Sequence, residues 1–162
     1  MAVKDLREWI ARLDHEGELR RISTEVDWNG EIGAVTRKVY SKNGPALLFE
    51  NIKGYKNTIS TKLFTGGVAT KDRIAMMLDM PRQTKHRDLV EVVRQRAKKP
   101  IEPVMVKTGP TKENILKGDK IDLFQFPVPK WHYLDGGRYI NTFCSIVTKD
   151  PETGIRNVGL YR

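Results

Sequence analysis

A predicted β-hairpin in the last 24 residues most strongly constrains the fold of this 162-residue chain. Residues 139–148 and residues 155–162 both have the composition of strands, and the first run alternates its side chains between two largely covered faces. Between them Asp150 and Pro151 open a turn, because proline presets φ at the second turn position. Gly154 then accepts a positive φ at little cost. The pattern predicts two paired strands.

The second strand of this hairpin has two distinct faces. One face carries Asn157, Gly159 and Tyr161, and the other carries Val158, Leu160 and Arg162. A glycine in mid-strand lets another group approach the backbone, so these residues can form a ligand wall. Composition alone favours an ordinary edge hairpin with a solvent-exposed arginine, and both interpretations stay open at this point.

The first hundred residues alternate between helical and strand-like patterns. Asp5 and Glu8 predict a capping box, followed by a helix whose apolar residues recur at helical spacing until Gly17. The next segments predict a strand, a helix, a buried strand and a β-prone stretch: residues 18–26, 32–39, 46–52 and 58–64. Thr70 caps a further helix. A last helix over residues 88–98 is expected to turn Leu89, Val92 and Val93 inward. We expect an α/β domain that leads into a β-rich one.

Charge and cysteine content narrow the classes of function. The net charge of +9 suits acidic partners, but the basic residues are dispersed and no zinc-finger spacing or RNA-recognition motif occurs, which argues against nucleic acid. The alternative is a basic protein that binds nucleic acid, and its affinity for DNA or RNA would depend steeply on salt concentration. The single cysteine, Cys144, excludes an internal disulfide. No apolar run reaches signal-peptide or membrane-spanning length, so we predict a cytoplasmic protein without a membrane span.

Known catalytic motifs are missing from the sequence. It contains no metal-ligand cluster of recognised spacing, no glycine-rich phosphate loop before a helix and no nucleophile motif. The three histidines, His15, His86 and His132, are scattered and are interpreted as surface or structural residues.

Several separated motifs resemble the UbiD family of decarboxylases. They are the opening DLR and GEL, GPALLFEN with the following GY, the series DL, FPVP, WH, DGG and YI, and the final DPETG and RNVGLYR. They occupy residues 5–7, 17–19, 44–55, 122–140 and 150–162. The resemblance runs over essentially all 162 residues.

This resemblance implies a function and a fold. Members of the family are reversible, non-oxidative carboxy-lyases that act on aromatic or α,β-unsaturated carboxylic acids, such as hydroxybenzoates. They use prenylated FMN, supplied by a flavin prenyltransferase, with manganese and often potassium, and they form homo-oligomers (dimers or hexamers). The implied fold class is α+β (α/β). An N-terminal α/β domain would occupy residues 1–112, and residues 113–162 would begin a split β-barrel that binds the flavin.

The resemblance also implies roles for individual residues. Asn157 matches a metal ligand, and Arg162 matches a catalytic arginine that lies beside the flavin ring. The cofactor-binding residues would be Thr142, Val158, Gly159, Leu160, Tyr161 and Arg162. Asn157 and Arg162 fall on opposite faces of an ideal strand, about 16 Å apart along it. Either the strand twists near Gly159, or the two residues meet the phosphate end and the ring end of one flavin; we favour the second arrangement.

The matched motifs include only part of the family's site. Nothing up to Arg162 matches the metal-binding histidine, the metal-binding glutamate or the two catalytic glutamates. We therefore expect the 162-residue protein to be inactive by itself. The alternative function is that of a non-catalytic subunit or interaction module derived from the same family.

Overall fold

The computed structural model of the protein describes residues 3–102, 104–142 and 144–162. Its helices and strands are, in chain order, α1 (Leu6–His15), β1 (Leu19–Ile22), α2 (Glu31–Tyr40), β2 (Ala46–Phe49), β3 (Leu63–Thr65), α3 (Lys71–Met77), α4 (His86–Ala97), β4 (Ser145–Lys149) and β5 (Arg156–Leu160). Short 3-10 turns lie at Pro110–Lys112, Gly118–Lys120 and Leu123–Gln125. This mixture confirms the predicted α+β class. No helix among the described residues combines the length and the hydropathy needed to cross a bilayer.

The first sheet has the strand order β1-β2-β3. Strands β1 and β2 are parallel, with α2 between them in the chain, and β3 is antiparallel to β2. Leu47 and Phe49 of β2 pack with Ile32 of α2, whereas Ala46 packs with Leu13 of α1. Because helices cover both of its faces, β2 is buried along its whole length. A strand buried on both sides needs a continuous apolar run, which explains the Ala-Leu-Leu-Phe sequence.

The predicted helix starts are confirmed by their caps. The carboxylate of Asp5 accepts a hydrogen bond from the backbone N–H of Glu8 at 2.8 Å. The Glu8 carboxylate accepts from the N–H of Lys4 at 2.6 Å, one residue earlier than an ideal capping box requires. Thr70 caps α3 by accepting from the N–H of Arg73.

The predicted start of the first hairpin strand and the predicted inward face of the last helix are wrong. The strand expected from residue 139 begins at Ser145, because β5 pairs only as far as Leu160 and leaves the earlier residues without a partner strand. Phe143, within that predicted run, lies outside the described residues. In α4, Leu89 is buried as expected, but Val93 is half exposed, since α4 packs on α3 along a narrow stripe.

The segment after the 3-10 turns returns to the N-terminal part of the chain beside α2. Lys130 donates its N–H to the carbonyl of Trp28 at 3.0 Å and accepts from the N–H of Gly30 at 3.1 Å. Trp131 packs against the cluster that contains Ile32. A Cβ added at Gly33 would lie 2.2 Å from the Trp131 carbonyl oxygen, so only glycine allows this approach of helix to backbone.

Arg138 anchors the same segment. Its guanidinium donates to the carbonyls of Val128 at 2.6 Å and Phe126 at 3.1 Å, and to the hydroxyl of Tyr55. It also lies 4.3 Å from the centroid of the Trp28 ring, within cation–π distance. One side chain therefore joins two loop carbonyls to two aromatic residues of the N-terminal part.

Candidate functional site

The predicted hairpin forms, and Asp150 shapes its turn. Strands β4 and β5 pair antiparallel, with Ser145 opposite Leu160 at the open end. The Asp150 carboxylate accepts backbone hydrogen bonds from Thr153 at 2.6 Å and Glu152 at 2.9 Å. These bonds, with Thr153 contributing most, hold the pKa of the Asp150 carboxyl below its ordinary value.

Asn157, Gly159 and Tyr161 share a face of β5, as their spacing predicts. The Nδ2 of Asn157 lies 3.5 Å from the Tyr161 hydroxyl. A Cβ at Gly159 would lie 2.5 Å from the Tyr161 ring, so that ring fills the space that the glycine leaves. The sequence predicts that both faces of the first hairpin strand are largely covered. This prediction is wrong for β4 within the described chain, because Val147 is 65% exposed.

Arg162 has two partners, although 39% of its side chain stays exposed. Its Nη2 donates to a carboxylate oxygen of Asp135 at 2.7 Å, and its guanidinium lies 4.3 Å from the centroid of the Tyr139 ring. The same Asp135 oxygen accepts the backbone N–H of His132 at 3.1 Å. The hydrogen bond from Arg162 is the main reason why the pKa of the Asp135 carboxyl falls below its ordinary value. Arg162 is thus held in one place by a charge and a ring.

A cavity of about 490 Å³ brings two predicted site residues together. It is lined by Thr36, Arg37, Tyr40, Trp131, His132, Thr142 and Arg162. Of the predicted residues, Thr142 and Arg162 share this cavity, whereas Asn157 does not line it and lies beside Tyr161 on the hairpin. A separate hollow of about 440 Å³ around Leu116 contains none of the predicted residues.

Sequence reasoning missed the contribution of helix α2 to this cavity. Thr36, Arg37 and Tyr40 follow Gly33 at helical spacing, so the four residues share one face of the helix. Arg37 crosses to the opposite wall, where its Nη1 donates to the carbonyl of Trp131 at 2.7 Å. The signal that could have identified these residues in advance is the spacing of Thr36 and Arg37 three and four residues after Gly33.

The strand β5 fits one side of a flavin site. Its Val158 and Leu160 side chains are each 63% exposed, and within the described chain it pairs with β4 along one edge only. The backbone groups of its other edge are therefore open to a ligand. An apolar face with free backbone donors and acceptors suits a planar ring system.

Asn157 is the residue that the family resemblance predicts as a metal ligand. Asn157 is exposed, and within the described chain its amide oxygen has no hydrogen-bond donor. A neutral amide oxygen suits a hard divalent cation. The described residues contain no group of three or more His, Cys, Asp or Glu side chains that could hold a metal ion. Asn157 fits manganese as one ligand of a set that other residues must complete.

Two family models match this chain. The N-terminal domain of 3-octaprenyl-4-hydroxybenzoate carboxy-lyase matches residues 10–93, and the Rift-related domain of that carboxy-lyase matches residues 102–162. Pyrrole-2-carboxylic acid decarboxylase of Pseudomonas aeruginosa is 36% identical over 157 residues, which cover 91% of this chain and 31% of that protein. The chain spans about a third of the length of the curated relatives it matches.

Solved structures agree with these matches. Vanillic acid decarboxylase of Sedimentibacter hydroxybenzoicus, in its open form, superposes with a TM-score of 0.84 at 35% identity, covering 99% of this chain and 35% of that chain. An evolved dimeric form of the UbiD-class enzyme HmfF from Pelotomaculum thermopropionicum, in complex with prFMN, gives a TM-score of 0.79 at 31% identity. That match covers 96% of this chain and 34% of that one.

Proposed function

This chain belongs to the UbiD family, and we propose that it supplies the N-terminal α/β domain and the first wall of the flavin site of a non-oxidative decarboxylase. The substrates would be aromatic or α,β-unsaturated carboxylic acids, such as hydroxybenzoates. Relatives that act on pyrrole-2-carboxylic acid and vanillic acid support this class. We place the boundary between the two domains near residue 112.

The proposed cofactors are prenylated FMN and manganese, with potassium as a further ion. The complex of a UbiD-class relative with prFMN supports the flavin. When bound, the prenylated flavin would supply the electron sink for loss of CO2. Asn157 would hold the metal through its amide oxygen, and the backbone of residues 158–161 would lie along the flavin.

Arg162 is the proposed catalytic residue. Its guanidinium stays protonated at any working pH and can hold a carboxylate with two parallel hydrogen bonds. The observation that carries the proposal is that Arg162 shares one cavity with Thr142, as expected of two residues beside one flavin ring. In the free chain Asp135 occupies the position of a carboxylate partner. A substrate carboxylate would replace Asp135 or bind beside it.

The proposed partners follow from the same function. A flavin prenyltransferase would supply the cofactor, and the complete enzyme would form homo-oligomers in the cytoplasm. The dimeric form of HmfF supports assembly in this family. We expect no turnover from the 162-residue protein alone, because its described residues offer one metal ligand.

The test is to express the gene for this chain at its native length together with a flavin prenyltransferase. The purified protein should acquire a flavin absorption spectrum and release CO2 from a panel that includes 4-hydroxybenzoate, vanillate and pyrrole-2-carboxylate. Arg162→Ala should lower the rate by about a hundredfold, the scale expected when a preorganised donor to a developing charge is lost. Arg156→Ala, which removes an exposed arginine at the start of β5, is the matched control.

Two results would contradict the proposal. A native-length protein that binds the prenylated flavin but releases no CO2 from any acid would favour the non-catalytic subunit. Equal rates for the Arg162 and Arg156 variants would remove the catalytic assignment of Arg162.

A further inference from the structure

We infer that Asp135 is a positioning residue for Arg162, whose guanidinium it holds in place beside the 490 Å³ cavity. The inference rests on the proposed function for the role of Arg162. It gives a function to a residue that the sequence presented only as part of the DGG motif. It also decides between the two arrangements of a substrate carboxylate, which binds beside Asp135 and does not replace it.

Arg162 needs partners because no regular structure fixes its side chain. Strand β5 ends at Leu160, so Arg162 lies two residues beyond the last strand position. An arginine side chain has many rotamers, and a group that binds a developing charge works best when it is already held in place. Asp135 at 2.7 Å and the Tyr139 ring at 4.3 Å supply this restraint.

Asp135 is fixed by bonds that do not involve Arg162. Only 10% of its side chain is exposed. Its backbone N–H donates to the His132 carbonyl at 3.1 Å, and its carboxylate accepts the His132 N–H, also at 3.1 Å. Side chain and backbone of Asp135 therefore close the same turn. The carboxylate keeps its place, and the longer side chain of Arg162 adapts to it.

Helix α2 holds this turn from its other end. Nη1 of Arg37 donates to the Trp131 carbonyl at 2.7 Å and lies 3.2 Å from Nδ1 of His132. The restraint thus runs from α2 through the turn to Asp135 and then to Arg162. Precise placement of a functional side chain requires a supporting group whose own position is fixed by its neighbours.

The position of Asp135 relative to the cavity favours support over competition with the substrate. Arg162 lines the cavity, whereas neither Asp135 nor Tyr139 does. Asp135 accepts a hydrogen bond from Nη2, and Nε and Nη1 of Arg162 have no partner among the described residues. Because Nη2 belongs to both donor edges of a guanidinium, one complete edge stays open whichever of its hydrogens Asp135 accepts. That edge can bind a carboxylate with two parallel hydrogen bonds.

The first test follows the Nε–H signal of Arg162 in the 162-residue protein by two-dimensional NMR. Stacking on the Tyr139 ring should separate this signal from that of a free arginine. Asp135→Asn keeps the size of the side chain and an acceptor for the His132 N–H but removes the charge, so the Arg162 signal should move toward the free position. An unchanged Arg162 signal in this variant would overturn the inference.

A second ion pair of the same length provides the matched control. Asp14 pairs with Arg21 at 2.7 Å, and neither residue lines the cavity. Asp14→Asn should leave the Arg162 signal unchanged. An equal shift of that signal in the Asp14 and Asp135 variants would reflect a general change of charge and would contradict the inference.

The second test measures kcat and KM in the native-length enzyme loaded with the prenylated flavin. Asp135→Asn should lower kcat/KM at least tenfold, the scale expected when a functional side chain loses the group that orients it. Asp135→Glu retains the charge and should recover part of the loss, and Asp14→Asn should match the unchanged enzyme. In an Arg162→Ala background Asp135→Asn should have no further effect, because a positioning residue acts only through Arg162.

Two kinetic results would overturn the inference. A lower KM in Asp135→Asn would show that the Asp135 carboxylate competes with the substrate carboxylate for Arg162. A loss from Asp135→Asn that is equally large with and without Arg162 would show that Asp135 acts on the fold alone.

The two proposals can fail separately. A native-length enzyme that releases CO2 with the same kcat/KM after Asp135→Asn would overturn the positioning role and leave the proposed function intact. A native-length protein that decarboxylates no acid would overturn the proposed function. In that protein, binding of 4-hydroxybenzoate at least tenfold weaker after Asp135→Asn would still support the positioning of Arg162, and equal binding would overturn it.

Discussion

Replacing Arg73 by methionine should lower the free energy of unfolding by about 3 kcal/mol, because the side chain joins three parts of the chain from inside the fold. Arg73 is 1% exposed. Its Nε donates to the Gly66 carbonyl at 2.9 Å, and its Nη1 donates to the Gly44 carbonyl and to Glu18, each at 3.0 Å. Methionine has a similar length and no donor, so the Gly44 carbonyl loses its donor, whereas the Gly66 carbonyl keeps the N–H of Ala69 at 3.2 Å.

The magnitude follows from what is left behind. Removing one partner of a buried ion pair costs about 3–5 kcal/mol, and the Gly44 carbonyl left without its donor adds to that cost. Two features favour the lower end of the range. Glu18 is 23% exposed and keeps Arg82 at 3.0 Å. Removing Arg73 also relieves the cost of burying its charge.

Urea unfolding followed by circular dichroism measures this loss. With a slope of about 2 kcal/mol per molar urea, 3 kcal/mol lowers the midpoint by about 1.5 M. Arg94→Met is the control, because Arg94 is 60% exposed and should leave the midpoint unchanged. If Arg73→Met abolishes folding, Arg73→Lys should fold with a lowered midpoint, since one ammonium cannot hold three acceptors in the planar arrangement. Equal midpoints for the Arg73 and Arg94 variants would refute the reasoning.

Two further predictions concern the contacts around the cavity. Gly33→Ala should lower the free energy of unfolding by about 1–3 kcal/mol and release Trp131, since the new Cβ meets a backbone carbonyl that has little room to move. Limited proteolysis should therefore cut the variant faster near Trp131. Gly109→Ala is the control, because Gly109 has open space around it, and this variant should be cut like the unchanged protein. Arg162→Gln should raise the pKa of the Asp135 carboxyl toward its ordinary value, as followed by 13C NMR of that carboxyl. Because this pKa is depressed in the folded chain, the Arg162–Asp135 contact stabilises the folded state at pH values above the ordinary carboxyl pKa. That stabilisation is lost as the pH falls through the depressed pKa. An unchanged titration of Asp135 in the variant would contradict this account.

Local chemistry made much of the fold predictable from sequence. The cap at Asp5, the buried run of β2 and the turn at Asp150 each depend on neighbours within a few residues or on a simple apolar pattern. Pairing within the hairpin was predictable for the same reason. The start of β4 was not, because it depends on where its partner strand stops pairing.

The walls of the cavity depend on contacts that no local pattern encodes. Arg37 and Trp131 are 94 residues apart in the chain, and their contact requires the return of the segment around Lys130 to the edge of α2. Arg73 was missed for a related reason. A charged residue in a short helix normally predicts an exposed side chain, and its burial becomes favourable only because loop carbonyls of Gly44 and Gly66 converge on it. The hairpin residues were identified by resemblance, and their roles stay predictions.

Arg138 and Arg162 hold the same stretch of chain by contacts that differ in their response to acid. Arg162 depends on the Asp135 carboxylate, which loses its charge at low pH. The partners of Arg138 are two carbonyls, a phenol and the Trp28 ring, and none of them is a carboxylate. Acidification should therefore break the contact of Arg162 with Asp135 first, while the contacts of Arg138 persist.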